Sequence, residues 1–161
     1  MSYQEKRTIV GLVSGIALII TYCIYAFGKL QAGIISPDDL KFWASTMLLF
    51  IGIGIVAMII IQIVYHILLA ISVAVKEREH GEEKINSTIE ASFVEDEMDK
   101  LIELKSSKLG YAFIGFGFIG GLISLYFNLP LYIMLNIMFL SFALGSIFEG
   151  LVSLYYYKKG I

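Results

Sequence analysis

Four stretches almost free of charge divide this chain, and each is long enough to cross a bilayer. Thr8 to Gly28, Phe42 to Val75 and Leu109 to Phe127 contain no Asp, Glu, Lys or Arg, and Leu131 to Tyr157 contains one, Glu149. About 20 apolar residues suffice to cross about 30 Å of hydrocarbon as a helix. A soluble reading fails on composition: 58% of the 161 residues are hydrophobic and 16% charged, whereas a soluble domain carries about 25% charged residues. Too little polar surface remains to cover a globule, and lipid removes that difficulty. The expected fold is all-α, an integral membrane four-helix bundle forming a single domain over residues 1–161. Its spans are expected at about 8–28, 44–75, 109–127 and 131–157. Two helical hairpins are thus joined by a cytoplasmic helical segment, 76–108.

Lys6 and Arg7 before the first apolar run give it the look of a secretory signal. Its apolar core exceeds the usual ~7–15 residues and no A-x-A site follows closely, so a retained signal-anchor is expected. Orientation follows from the Lys and Arg of the short connections. With both termini and residues 76–108 in the cytoplasm, ten basic residues lie inside and two, Lys29 and Lys41, outside. The expected location is a cytoplasmic (inner) membrane, with a multi-pass topology.

The ends of the spans have local causes. Ser36-Pro37-Asp38-Asp39 sets a capping hydroxyl before a proline and two carboxylates, which suits a helix start near Pro37. Phe42 and Trp43 are then expected at the outer interface. Asn128-Leu129-Pro130 reads as a tight outer turn, and Tyr155, Tyr156 and Tyr157 before Lys158 and Lys159 as an inner aromatic belt.

Small residues recur at helix-packing spacing: Gly11 with Gly15, Gly117 with Gly121, Ser141 with Gly145, and Ser146 with Gly150. Lipid offers no hydrophobic drive between helices, so close backbone approach is what favours packing. The glycines fit packing within one bundle, or a homodimer seam.

Polar groups within the spans are few. Gln62 and His66 lie one turn apart in the second span, and Glu149 lies in the fourth. His66 is ten residues from Lys76 and Glu149 nine from Lys158. At about 1.5 Å per residue both reach about 14–15 Å from those lysines, so they could meet at one level. A carboxylate in hydrocarbon is costly unless paired, solvated or protonated. Glu149 with His66 and Gln62 is therefore the candidate intramembrane site, as a proton- or cation-responsive pair. A purely structural hydrogen bond is the alternative.

Residues 76–108 hold sixteen of the twenty-six formal charges, ten acidic and six basic. Val94, Met98, Leu101 and Ile102 fall at i, i+4, i+7 and i+8, one helical face. That stripe is expected to contact the bundle's inner end or a partner, and its helix to run directly into the third span. Glu95, Asp99 and Glu103 share another face, and Glu79, His80, Glu82 and Glu83 cluster near Gly81. Such oxygens could hold a hard cation, but no closed ligand spacing is present, so a solvated acidic face with no metal is expected.

Glu95-Asp-Glu-Met-Asp-Lys-Leu-Ile-Glu-Leu-Lys-Ser-Ser-Lys-Leu-Gly-Tyr111 resembles a stretch of small uncharacterised bacterial four-span membrane proteins. Those carry a cytoplasmic DERD-like acidic helix, then I-E-x-K, a basic residue and the third span. Met98 stands where that pattern has Arg. The likeness covers about seventeen residues of 161 and implies topology and a bacterial source.

The single cysteine, Cys23, excludes an internal disulfide and a CxxC redox site. One intramembrane histidine is too few for paired haem ligation. P-loop, HExxH and Gly-x-Ser-x-Gly motifs are absent. The glycines of Gly110 to Gly121 mimic dinucleotide-binding spacing, but inside an apolar span with no preceding strand. No cofactor and no enzymatic activity are expected, and the acidic cytoplasmic segment disfavours nucleic acid. The expected partners are the lipid bilayer and a second membrane protein or a second copy of the chain. The leading functional expectation is a scaffold or regulatory subunit acting through helix packing and its cytoplasmic helix. The alternative is a small transporter or channel component, or a lipid or small-molecule binder, using Glu149 and His66. Small multidrug exporters match the chain in size, but their essential glutamate lies in the first span, where this chain has none.

Overall fold

A computed structural model describes residues 3–76 and 97–160. Four helices make up the described chain: α1 (Tyr3–Gln31), α2 (Leu40–Lys76), α3 (Glu97–Tyr126) and α4 (Leu131–Lys159). Each is long and apolar enough to cross a membrane, and the protein is a multi-pass, all-α membrane bundle. A bilayer cannot hydrogen-bond an open backbone, so long uninterrupted helices are what such sequences can form there. Large apolar side chains such as Leu48, Ile55, Ile60, Phe116 and Ile123 stand on the outer surface, as a lipid solvent allows. α3 is continuous from Glu97, so the charged residues 97–108 and the apolar run after them form one helix. Val94, Glu95 and the acidic cluster around Gly81 lie outside the described residues.

The start of α1, the end of α2, the start of α3 and the end of α4 share one end of the bundle, called here the terminal end. The 32–39 and 127–130 connections lie at the opposite, turn end. α1 closes with Gly33 at φ 67°; Gly33 N donates to Leu30 O and Ile34 N to Lys29 O. α3 closes the same way with Asn128 at φ 54°, where Asn128 N donates to Leu125 O and Leu129 N to Ser124 O. Both are Schellman ends, which need a residue tolerant of the left-handed conformation. Gly33→Ala is expected to lower stability by about 1–2 kcal/mol. Gly28→Ala, whose new Cβ meets nothing within 4 Å, should not, and thermal unfolding of the two variants in detergent checks the difference.

α2 starts at Leu40 rather than near Pro37. Asp39 is its cap, accepting a hydrogen bond from Phe42 N at 3.0 Å. Ser36 Oγ instead accepts from Asp38 N in the preceding turn. Trp43 faces inward. It is fully buried, not at the lipid interface, and forms the turn-end core with Tyr22, Ala26, Met47 and Phe50. Tyr22 hydroxyl donates to Asn136 Oδ1 at 2.7 Å, joining α1 to α4.

α4 packs against all three other helices, most extensively against α3. The α3 face turned to it is made of Ile102, Ser106, Gly110, Gly117, Gly121 and Ser124, all buried. A Cβ at Gly117 would overlap the Ser141 side chain, and one at Gly145 would lie 2.8 Å from Gly110 O. These contacts fix an antiparallel register in which Gly110 lies beside Gly145 and Ser107 is level with Glu149.

Candidate functional site

The register of the α3–α4 hairpin places Glu149. Along α4 it is nine residues inside Lys158, but its neighbour across the seam is Ser107, beside Lys108 and just before the apolar run of α3 begins at Leu109. Ser107 Oγ donates to Glu149 Oε1 at 2.5 Å. A Cβ on Gly110 would come within 3.1 Å of Glu149 Oε2, so the bare glycine leaves room for the carboxylate. Glu149 thus sits at the edge of the apolar zone, with a hydroxyl as its hydrogen-bond donor. No Lys, Arg or His pairs with it among the described residues.

Glu149 lines a half-open cavity of about 580 Å³ in the terminal half of the bundle. All four helices contribute to its wall. Val10, Leu18 and Ile19 of α1, Ala57, Met58 and Ile61 of α2, and Ala143 and Ile147 of α4 give an apolar portion. Arg7, Asp99, Glu103 and Glu149 give the charges, and Tyr65 and Tyr157 line it as well. Its polar end is therefore the terminal end, where α1 and α3 carry their charged first turns. Tyr157 hydroxyl donates to Asp99 Oδ1 at 2.7 Å, which fastens the end of α4 to the charged start of α3. The turn end is filled by the Tyr22–Trp43–Phe50 cluster. The molecule is thus packed solid at one end and hollow at the other.

Two glycines shape the wall. A Cβ at Gly150 would lie 2.8 Å from Leu12 Cδ2, and one at Gly54 would lie 3.1 Å from Leu18 Cδ2. Their bareness lets α4 and α2 close on α1 along the sides of the cavity. Gly15 touches its surroundings only loosely, at 3.9 Å from Ile147, and Gly11 has nothing within 4 Å where its Cβ would be. Both line the cavity, so the small residues of α1 there border space rather than a tight seam.

Of the intramembrane polar trio, Glu149 and Gln62 line this cavity together. His66 borders a separate shallow depression with Ile59, Gln62, Ile63 and Ile67, all on α2. Gln62 alone touches both. Of the cytoplasmic stripe, Ile102 is 1% exposed and belongs to the bundle's own α3–α4 contact. Met98 is half-buried and Leu101 exposed.

Sequence reasoning passed over Arg7, counted only for topology, Ser107, placed in the cytoplasmic segment 76–108, and Gly110, taken as part of a glycine run within the third span. A signal for Gly110 existed. Asp99, Glu103, Ser106 and Gly110 fall at spacings of four, three and four, one continuous stripe of α3. No protein-family model, curated protein or solved structure matches the chain.

Proposed function

We propose that this chain is a non-enzymatic membrane protein that binds an amphipathic small molecule or lipid in the cavity between its four helices. The observation that carries this reading is the cavity itself, with one apolar portion and one charged end. Ligand sites are commonly clefts of roughly 300–1,000 Å³ with apolar walls and a few converging polar groups. The proposed orientation puts both termini in the cytoplasm of a bacterial inner membrane, supported by the ten-to-two distribution of Lys and Arg. In that orientation the cavity lies in the cytoplasmic half of the bundle. A scaffold acting through the 97–108 helix is favoured less, because Ile102 and Ser106 are already buried against the bundle.

The test uses the fluorescent apolar probe N-phenyl-1-naphthylamine with the purified protein in phosphatidylcholine nanodiscs. Saturable binding is expected, at about one probe per chain for a cavity of this volume. Ala57→Trp and Ala143→Trp place an indole in the cavity and should weaken binding by tenfold or more, on the order of the area they remove. Ile123→Trp, on the outer face of α3, should bind like the parent. Equal binding by all three variants rejects the cavity as the site.

A further inference from the structure

We infer that the occupant of this cavity is an amphiphile with a net positive head, and that Glu149 is the carboxylate that selects it. The inference rests on the binding reading above and adds the charge of the ligand. Three carboxylates, Asp99, Glu103 and Glu149, and one guanidinium, Arg7, line the cavity. Among the described residues the formal sum is −2, whatever pairs these four form among themselves. Among the described lining residues, a net-neutral zwitterionic head would set its phosphate among three carboxylates and one guanidinium. A head of net positive charge meets no such repulsion, and its tail matches the apolar wall formed by Leu18, Met58, Ile61 and Ile147.

The position of Glu149 adds to the charge count. It lies on the cavity wall at the boundary between the charged and apolar parts of α3, the level where an amphiphile's head joins its tail. Its only hydrogen-bond donor among the described residues is the neutral hydroxyl of Ser107. Among the described residues no cation compensates this carboxylate, and an approaching ammonium would supply that charge. Gly110 leaves room for Oε2, and Ser107 holds Oε1, so the group is held in place before a ligand arrives. Selection between ligands then follows from an attraction for one charge and a repulsion of the other.

The experiment measures displacement of N-phenyl-1-naphthylamine from the nanodisc-embedded protein by three twelve-carbon competitors, all below their micelle concentrations. They are dodecyltrimethylammonium, monolauroylglycerol and laurate, which are cationic, neutral and anionic. The parent protein should be displaced by the cation at a concentration about tenfold lower than by the neutral compound, and least readily by the anion. Comparing each ratio with that of Glu149→Gln cancels the partitioning of the competitors into lipid. Glutamine keeps an acceptor for Ser107, so the preference for the cation should collapse while the neutral compound still competes. Glu103→Gln, at the exposed rim, should reduce the preference less.

A parent protein that is displaced equally by all three keeps the binding site and overturns its charge selectivity. An unchanged preference in Glu149→Gln overturns the role of that residue. Displacement by none of the three overturns both the selectivity and the binding reading. Phosphatidylethanolamine added to the nanodisc should compete weakly, and competition as strong as that of the quaternary amine overturns the requirement for net positive charge.

Discussion

Gly145→Leu is expected to force the α3–α4 hairpin apart, while Gly52→Leu leaves the bundle standing. A Cβ at Gly145 would lie 2.8 Å from the carbonyl oxygen of Gly110 and 3.4 Å from Phe113 Cβ. The nearest obstacle is backbone, which cannot rotate out of the way as a side-chain end could. Even alanine must push the helix axes apart. Leucine adds three further carbons to the same gap. Overpacking of a tight contact costs about 1–3 kcal/mol, and more where backbone must move. Set against a total stability of roughly 5–15 kcal/mol, that is a large loss at the most extensive helix pair in the molecule. At Gly52 the new Cβ meets nothing within 4 Å, and leucine improves helix propensity by about 0.5–1 kcal/mol over glycine. Thermal unfolding in detergent, followed by far-ultraviolet circular dichroism, should separate the two variants widely. If both melt with the parent, the seam is not holding the hairpin.

That contrast also explains what small-residue spacing reveals. Gly117, Gly121 and Gly145 were legible as packing positions because their spacing repeats along one helical face. The Gly11–Gly15 pair has the same spacing, yet Gly11 faces open space and Gly15 only a loose contact. Spacing is a property of one helix and says that it can be approached closely. Whether another helix does approach depends on the partner, as with Gly54, which fits the end of Leu18.

The position of Glu149 depended on the partner helix in the same way. Counting from Lys158 along α4 puts it well inside the apolar run. Counting across the seam puts it level with Ser107, in the charged part of α3. The second count needs the hairpin register, and the Gly110–Gly145 contact that sets it is invisible in either helix alone. The four helices and their apolar character were readable because periodicity and the absence of charge are local properties. The cavity was not, since its walls come from four segments distant in sequence. Asp99 and Glu103 were placed on one face by their spacing, but nothing local said that the face would border a hollow shared with Glu149.

Trp43 governs the solid end, where replacement by alanine should have a large effect. The indole is fully buried. It lies nearly parallel to Tyr132 with ring centroids 5.0 Å apart and packs at 5.9 Å against Phe27 and 5.7 Å against Phe42. It therefore joins α1, α2 and α4 at one point. Removing a buried tryptophan costs about 3–5 kcal/mol through lost contacts and the void left behind. In lipid those contacts matter especially, because packing rather than water exclusion draws helices together. Among the described residues the indole nitrogen has no hydrogen-bond partner, and an unmet buried donor costs about 1–3 kcal/mol. Trp43→Phe keeps an aromatic ring in the cluster and removes that donor, so the two losses partly offset. Trp43→Ala should consequently unfold far below the parent, with Trp43→Phe close to it. Probe binding at the hollow end should survive in the phenylalanine variant, since Trp43 is not part of the cavity wall. Equal destabilisation by phenylalanine and alanine would mean that the full size of the indole, which phenylalanine does not fill, rather than aromatic contact as such, holds the three helices together.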